Sequence, residues 1–565
     1  MEQLEKKIVN GRPYYYYSKW GWRNGKCRRL WQKYLGKLED IVKAVDGDLI
    51  PQYAEIFQFG LPSAVWHECK KQNVEKIIDG ICPKRDQGLS VGRYMAIAAV
   101  NRAIKPSSKK GMWEWFSQTS LLRAVPEATA TALDSNRFWD HMNVISPENA
   151  QASWKRIIRG TINREQLDLS TISYDGTNFY TFIDTFNVKS KMARRGKNKQ
   201  GRNNLRQVSY SLFCTRDGGI PLFYDIYEGN LNDAKEFPLV IRRFHNFLNN
   251  LSTAQLPSPK ITLVFDKGNN SADNFSLLDQ CGIHFITTVK LSEHKDLAEI
   301  SNNDKRFMCC TRAGLESVKV LSLNRTLYGK ERKVLVMFNQ ELFNTQLKTV
   351  NADIDKALEA LSDLKQRLDD RANGLIKGGR APTKGSVEKK CKEIRKRQFL
   401  KDLIWVNITE EAQITYGFDS SKLDEIADTY LGKKIVITTR KSWKEEEIIE
   451  VLNSQYIIEH VFRDMKHRDI GSWWPLNHWT DQKIHVHAMY CTIAMLLRAL
   501  IHRRVRQSGL MISMQRMLKE LSGIKEVVNV YIRSRRRPAK RQTVLTKQNA
   551  VQQQLCDVLN LPLLR

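Results

Sequence analysis

Two stretches of the chain combine strand-like sequence with an acidic residue, and they decide the fold prediction. They are LDLSTISYDGTNFYTFI at 167–183 and KITLVFDKGNN at 260–270. In each, β-branched and aromatic residues follow the pattern of a buried strand. Asp175 lies within the first strand, and Asp266 comes at the end of the second. We therefore expect two core strands, each presenting a carboxylate.

The elements between and after these stretches complete the core. Residues 208–215 and 221–229 have strand patterns, 237–251 have a helical pattern, and 281–290 form another strand. Three strands, a helix and two more strands are the order expected of an RNase H-like α/β core. The sequence thus predicts an α/β fold, with the first part of this core at 166–290.

An insertion is expected to interrupt this order at 291–440. Short strand-like pieces come first, followed by a helix with apolar residues at three- and four-residue steps. The segment GLIKGGRAPTKGS at 374–386 has the composition of a turn, so we predict a helical hairpin inside a mixed strand and helix insertion. The core should resume at 441–505 with one long helix over 445–467 and a closing apolar helix.

The two ends of the chain differ in composition from this core. Residues 1–45 alternate aromatic and basic side chains around Asn24-Gly25, which predicts a β-hairpin arm. Residues 46–165 are amphipathic, and we expect a helical DNA-binding region there. Residues 506–565 should form a basic C-terminal tail.

Charge points to a polyanionic partner. Lys and Arg number 91 against 61 Asp and Glu, so the formal net charge is +30. Such a positive field attracts nucleic acid. The ten cysteines are scattered without a CxxC pair, which disfavours a disulfide framework or a zinc knuckle. The apolar run AMYCTIAMLL at 488–497 is too short to span a bilayer, and the N-terminus lacks an apolar signal core, so a cytoplasmic protein is expected, with no membrane partner.

Three carboxylates are the candidate catalytic groups. Asp175 and Asp266 lie on strands that are neighbours in an RNase H-like core, and Glu459 on the following helix would be the third ligand. Hard oxygen donors suit Mg²⁺, and two such ions support phosphodiester hydrolysis and transfer. Other acids nearby stay open as alternatives: Asp184, Asp225, Glu445, Glu446, Glu447 and Glu450.

Basic runs are the candidate DNA contacts. Residues 189–206, here called the basic loop, hold eight basic residues and no acid. Their place between the first two core strands puts them near the predicted carboxylates, whereas a solvated surface is the usual alternative. The cations expected to contact DNA are Arg194, Arg195, Lys197, Lys199 and Arg202. A second run, YIRSRRRPAKRQ at 531–542, has six more.

The C-terminal part of the core resembles a known family. YIIEHVFRDMKHRDIGSWWPLNHWTDQKIHVHAMYCTIAMLL at 456–497 is similar to the catalytic block of DDE-type insertion-sequence transposases, closest to the IS-four superfamily in its sixteen-thirty-four branch. That block has a catalytic Glu seven residues before a Lys, as Glu459 and Lys466 are here. YDGTNFY at 174–180 and GGIPLFYDIYEGNLND at 218–233 resemble other family segments, so the likeness spans about residues 20 to 505.

The chain also departs from the family pattern. The superfamily's Tyr and Arg before the Glu are replaced by Leu452 and Gln455, and Trp474 precedes Pro475 where an Arg is common. These changes put some phosphate contacts in doubt, and Arg463 is the candidate to replace them. On a helix, Glu459, Arg463 and Lys466 share one face, where cations can neutralise a reacting phosphate.

The resemblance implies a metal-dependent transposase that binds the terminal inverted repeats of its element, cuts the ends and joins them to target DNA. It further implies Mg²⁺ as two ions, with Mn²⁺ as a substitute, a homodimer assembled on DNA, and a nucleoid-associated bacterial protein. Two alternatives stay open: an RNase H-like nuclease without strand transfer, and a domesticated DNA-binding protein without catalysis.

Overall fold

A three-stranded antiparallel sheet begins the chain, where the sequence predicted a hairpin of two strands. In this computed structural model the described residues are 1–23, 25–45, 51–82, 88–198, 201–251, 260–467, 470–474, 476–531 and 540–561. The sheet consists of β1 (Glu2–Val9), β2 (Arg12–Arg23) and β3 (Lys26–Gly36), followed by α1 (Leu38–Val45). The additional strand β1 is joined to β2 by Asn10 and Gly11, both with positive φ, as a tight hairpin turn requires.

A helical region follows, as the sequence predicted for this part of the chain. Its elements are β4 (Tyr53–Gln58), α2 (Gly60–Lys71), α3 (Val74–Asp79), α4 (Val91–Ile104), α5 (Met112–Ser117), α6 (Leu121–Ala124), α7 (Ser135–Asn143) and α8 (Pro147–Glu165). Side chains of Ser90 and Ser146 accept backbone hydrogen bonds at the starts of α4 and α8. These N-caps satisfy donors that a helix start leaves unpaired.

The core contains the predicted three strands, helix and two strands in that order, together with the two-residue strand β6 and helix α10, which were not predicted. They are β5 (Thr171–Tyr180), the short β6 (Arg194–Arg195), β7 (Arg206–Thr215), β8 (Pro221–Glu228), α9 (Asp233–Leu251), β9 (Thr262–Phe265), α10 (Ala272–Gln280) and β10 (His284–Val289). Across the sheet the order is β8-β7-β5-β9-β10. Strands β5, β9 and β10 are parallel, whereas β7 is antiparallel to both its neighbours β5 and β8. This is the order expected of an RNase H-like core.

Aromatic packing fixes one face of this sheet. Phe213 of β7 stacks on Phe244 of α9 with ring centroids 3.9 Å apart, and Phe237 of α9 packs against both Tyr174 and Phe265. All five rings are buried. Burying each such side chain stabilises the fold by about 1.5–3 kcal/mol, which holds α9 on this face.

The segment expected as an insertion is divided between the main sheet and a core of its own. It contains α11 (Lys295–Ala298), β11 (Met308–Cys309), β12 (Val318–Leu327), β13 (Lys330–Asn339), α12 (Gln340–Ala372), α13 (Lys384–Ile394), α14 (Leu400–Leu403), β14 (Ile404–Ile408), β15 (Ile414–Phe418), α15 (Ser420–Tyr430) and β16 (Lys433–Thr438). Strands β11, β12, β13 and β16 extend the central sheet beyond β10 to ten strands. Helices α12 and α13 form the helical pair, and they share a separate apolar core with β14, β15 and α15.

The predicted long helix over 445–467 is wrong, because the structure divides it. Two helices, α16 (Glu445–Asn453) and α17 (Tyr456–Lys466), are separated at Ser454 and Gln455. The Ser454 hydroxyl donates to the carbonyl of Val451 at 2.6 Å. The backbone amides of Gln455 and Ile457 donate to the carbonyls of Leu452 and Ser454 at 3.1 and 3.0 Å, three residues back, as in a turn rather than an α-helix.

Helix α18 (Asp481–Gln507) closes the core and is buried on nearly all sides, in contact with α2, α4, α8 and β8. It is the one helix in the described ranges long and apolar enough to cross a membrane, yet 94% of its apolar window is buried inside the structure. Burial of this kind is typical of a core helix.

The expected basic tail is instead folded. It contains α19 (Met514–Gly523), β17 (Lys525–Tyr531), β18 (Lys540–Leu545) and α20 (Ala550–Leu559). Strand β17 lies between β18 and β4, so the C-terminal part pairs with the strand at the start of the helical region. Glu526, Val528 and Val530 alternate as buried residues along β17, a strand period that the basic composition obscured. Most of the basic run at 531–542 lies outside the described residues.

Candidate active site around Asp175 and Asp266

The register of β5 and β9 places the two predicted aspartates side by side. Thr171, Ile172 and Ser173 pair in parallel with Thr262, Leu263 and Val264. Continued by two residues, this register puts Asp175 level with Asp266. Level residues on neighbouring strands are about 4.8 Å apart and project from the same face of the sheet. The extended register thus places the two carboxylates at one end of the β5–β9 pair, here called the carboxylate edge, and their catalytic role stays a prediction.

Each aspartate is held by its local backbone. The Asp175 carboxylate accepts a hydrogen bond from the amide of Gly176 at 2.7 Å and is half-buried. Asp266 is exposed and begins a 3-10 turn, in which the Asn269 amide donates to the Asp266 carbonyl at 3.2 Å. The turn is fixed from behind, because the Asn274 side chain donates to the Asn269 carbonyl at 2.7 Å. Both acids are thus presented on ordered backbone.

Helix α17 brings Lys466 to the strand of Asp175. The Lys466 ammonium donates to the hydroxyl of Thr177 and lies 5.6 Å from the ring centroid of Phe179. Thr177 is two residues beyond Asp175, so the two side chains share a face of β5. Lys466 therefore lies beside the predicted reacting centre. Thr177 is a residue that sequence reasoning missed, although its i+2 position from Asp175 was a usable signal.

Glu459 and Arg463 lie on the same helix and are exposed. Ile458, Phe462 and Met465 form the buried side of α17. Glu459 precedes Lys466 by seven residues, which is about 10.5 Å along a helix axis. Next to Arg463, burial raises the pKa of the Asp464 carboxyl, and the charge of Arg463 acts in the opposite direction.

The donor set suits a hard divalent cation, but the three acids are not gathered around one point. Among the described residues, no group of three or more His, Cys, Asp and Glu is arranged to hold a metal ion. Mg²⁺ is commonly held by one or two carboxylates together with waters and substrate phosphate oxygens. The pair Asp175 and Asp266 fits that pattern, whereas the part of Glu459 stays a prediction.

The basic loop is anchored beside the first two core strands. Asp481, at the start of α18, accepts hydrogen bonds from the Ser190 hydroxyl at 2.7 Å and from the backbone amides of Lys191 and Met192 at 3.0 and 3.1 Å. Asp481 is almost three hundred residues away in sequence, so no local signal could reveal this contact. It orders the base of the loop.

The predicted DNA contacts in this loop face solvent. Arg194, Arg195, Lys197 and Arg202 are exposed, whereas Lys199 lies outside the described residues. The Arg195 guanidinium donates to the Thr185 hydroxyl at 2.9 Å, and that of Arg202 lies 5.8 Å from the Tyr180 ring. Tyr180 is five residues beyond Asp175, or about 17 Å along an extended strand. The loop is thus close enough to contact a DNA duplex that reaches the aspartates.

The segment after α17 is bonded to the helical region through the buried side chain of Arg102. Trp473 stacks on Phe179 with centroids 4.2 Å apart, and its carbonyl accepts a hydrogen bond from His487 at 2.8 Å. The Arg102 guanidinium of α4 donates to the carbonyl of Trp474. An Arg from another helix therefore supports the backbone at Trp474.

Behind this segment lies the buried ammonium of Lys109. It is 4.5 Å from the ring centroid of Tyr490 and 5.0 Å from that of Phe138, and it has no hydrogen-bond partner among the described residues. Burial, aided by the neighbouring Arg102, lowers the pKa of Lys109 to about 7. Burial likewise holds the pKa of the core residues His478 and His487 well below the usual range.

Comparison with known proteins identifies the class. The family "Transposase DDE domain" matches residues 167–497, which is more than half of the chain and includes all three predicted acids. The chain belongs to this family. It is accordingly a DDE transposase, an enzyme that cleaves DNA and transfers strands.

Two solved structures are similar to the chain at low identity. The piggyBac transposase synaptic complex with hairpin DNA is 8% identical, covers 84% of this chain and 82% of its own, and has a TM-score of 0.33. The Mos1 transposase paired-end complex with the left transposon end is 12% identical, covers 36% of this chain and 59% of its own, and has a TM-score of 0.15. Curated proteins give no match.

Proposed function

We propose that the chain is the transposase of an insertion sequence, which binds the terminal inverted repeats of its element, cuts the DNA there and joins the ends to target DNA. The observation that carries the proposal is the parallel register of β5 and β9, which, continued by two residues, sets Asp175 level with Asp266. Lys466 donates a hydrogen bond to Thr177, the next residue on that face of β5. Membership of the DDE transposase family supports phosphodiester chemistry at this edge.

In this proposal Asp175 and Asp266 hold the catalytic metal, with Glu459 as third ligand. When bound, two Mg²⁺ ions, or Mn²⁺ in their place, activate the attacking oxygen and stabilise the leaving one. Lys466 and Arg463 neutralise charge on the phosphate that reacts. Glu459 is exposed on α17, so its carboxylate is free to approach a metal ion that binds at this edge.

DNA is the proposed partner, as transposon ends and as target. The net charge of +30 and the exposed cations of the basic loop support it. A homodimer assembled on two DNA ends, a place in the sixteen-thirty-four branch of the IS-four superfamily, and a bacterial, nucleoid-associated location belong to the same proposal, on the sequence resemblance of 456–497.

The experiment compares three amide variants with a matched control. Asp175→Asn, Asp266→Asn and Glu459→Gln should each abolish cleavage of a DNA end in Mg²⁺, while binding of that end stays near the wild-type value. Asp184→Asn is the control, because Asp184 is an exposed acid whose carboxylate caps a nearby amide at 2.7 Å. It should cleave normally.

Cleavage at the wild-type rate by any of the three amides would remove that residue from the site. Joining of a pre-cleaved 3′ end to a second duplex separates a transposase from a plain nuclease, which would not perform this step. A wild-type protein that bound ends but neither cut nor joined them would instead favour the domesticated DNA-binding protein.

A further inference from the structure

The two faces of the N-terminal sheet differ in charge and in how far their polar groups are satisfied. Register places Lys6 opposite Tyr15, Lys33 opposite Tyr17, and Arg28 opposite Gly21, all on one side. Because side chains alternate between the two faces along each strand, Lys19, Arg23 and Lys26 lie on the same side, here called the basic face. Its cations are Lys6, Lys19, Arg23, Lys26, Arg28 and Lys33.

Most cations of the basic face lack an acidic partner. Its acid is Glu2, whose carboxylate accepts from the Tyr17 hydroxyl at 2.6 Å and pairs with Lys19 at 3.1 Å. Within the part of the chain that the structure describes, the remaining five cations form no ion pair or hydrogen bond through their side chains. All five are exposed. The basic face therefore has a concentrated, uncompensated positive charge.

The opposite face satisfies its own polar groups. The Glu5 carboxylate accepts from the indole of Trp20 at 2.7 Å and from the Gln32 amide at 3.0 Å, and Gln32 also donates to Ser18 at 3.1 Å. Ser18 is fully buried, and Arg29 lies 3.7 Å from Glu5. The polar groups at the centre of this face are thus paired with one another, whereas most cations of the basic face are not.

Exposed apolar and aromatic groups lie among the cations. Trp31 is 42% exposed and meets the Tyr17 ring edge-on at 5.6 Å, and Leu4 and Ile8 are 59% and 70% exposed. Cations interleaved with aromatic groups are typical of surfaces that bind nucleic acid. A membrane surface would instead be expected to meet a continuous apolar patch.

The spacing of the cations suits the backbone of a duplex. Lys6 and Lys33 lie level with the middle of β2, whereas Arg23, Lys26 and Arg28 are grouped at its far end. Six residues of extended strand separate Tyr17 from Arg23, which is about 20 Å. That span corresponds to about six base pairs, since duplex DNA rises about 3.4 Å per pair.

We propose that the basic face of the N-terminal sheet binds duplex DNA through its phosphates, as a contact separate from the basic loop and from the carboxylate edge. The inference rests on the proposed function in one respect, namely that DNA is the partner of this chain. Phosphate contacts of this kind position a protein on DNA without reading its sequence.

The test uses the full chain and a 30-base-pair duplex of random sequence, with affinity measured by fluorescence anisotropy over a series of KCl concentrations. Arg28→Gln combined with Lys33→Gln should weaken binding by roughly 10- to 30-fold near 0.15 M salt and flatten the log–log salt slope by about 1.8. The matched control is Lys7→Gln with Arg29→Gln, which removes two cations from the opposite face. It should leave the slope unchanged.

A second pair, Lys6→Gln with Arg23→Gln, replaces the first if the first fails to fold. It should weaken DNA binding and flatten the salt slope by the same amounts. Equal slopes for basic-face and control pairs would overturn the proposal. So would a loss confined to a single-stranded 30-mer, or to vesicles of phosphatidylserine and phosphatidylcholine. Normal cleavage by Asp175→Asn would defeat the proposed active site and leave these binding measurements unaffected, so the two failures are distinguishable.

Discussion

Replacing Lys109 by Met should stabilise the protein, and the gain should depend on pH. The side chain is 7% exposed, lies between the rings of Phe138 and Tyr490, and faces Arg102 rather than an acid. Met has a similar length and an apolar end, so it can fill the same space. The expected gain comes from removing a charge that the interior solvates poorly.

The magnitude follows from the pKa. Burial lowers the pKa of Lys109 from 10.5 to about 7, so between these values the unfolded chain binds a proton that the folded chain does not. The free energy of unfolding therefore falls as pH decreases through this window, by at most about 1.4 kcal/mol per pH unit. The upper limit is about 5 kcal/mol, and replacement of buried charges by apolar groups typically yields about 1–4 kcal/mol.

The assay is thermal unfolding of the wild type, Lys109→Met and the control Lys110→Met at pH 6.5, 8 and 9.5. Lys110 is the exposed neighbour, so its variant should unfold like the wild type at every pH. Lys109→Met should unfold at higher temperature at pH 6.5, with an advantage that shrinks towards pH 9.5. An advantage independent of pH, or the same in both variants, would refute the assignment of a poorly solvated charge.

Other predictions concern the reacting edge and the basic loop. Lys466→Ala should slow single-turnover cleavage by roughly ten- to a hundredfold, since losing a charge-assisted hydrogen bond costs about 1.5–3 kcal/mol, and Arg463→Ala should act similarly. Normal cleavage with weak binding in both would make this helix face a general DNA clamp. Alanine in place of the loop cations should flatten the salt slope of DNA binding by about 0.9 for each phosphate that the protein no longer neutralises, and an unchanged slope would mean a solvated surface. The cations to be replaced are Arg194, Arg195 and Lys197. Asp481→Asn weakens three hydrogen bonds to the loop and should speed its cleavage by trypsin, and an unchanged rate would show that the loop is held elsewhere.

The core was predictable because its signals are local. The strands around Asp175 and Asp266 carry dense β-branched and aromatic residues, and each aspartate is placed by its own strand. Their level register, by contrast, depends on how β5 and β9 pair over ninety residues of separation. No periodicity in one strand specifies its alignment with another.

The parts that were missed depend on contacts distant in sequence or on single side chains. The apolar face of 445–467 continues across Ser454, so the pattern alone predicted one helix, and the break is seen in the backbone hydrogen bonds of Gln455 and Ile457. In β17, the alternation of Glu526, Val528 and Val530 was hidden beside a basic run, and its partner β4 lies near the other end of the chain. The buried carboxylate of Glu526 forms an ion pair with Arg123. The two residues are so far apart in the chain that no short stretch of sequence contains both.

Because β4 pairs with β17, β4 must wait for its partner strand while the ribosome synthesises the residues between them. Between Gln58 and Lys525, which pair in the folded protein, the ribosome must add more than four hundred residues. At roughly 5–20 residues per second this takes on the order of half a minute to a minute and a half. Throughout that interval β4 lacks the strand that pairs with it here, and an unpaired strand edge is a template for association with other chains. The nascent chain should therefore depend on chaperone protection until its last strands emerge.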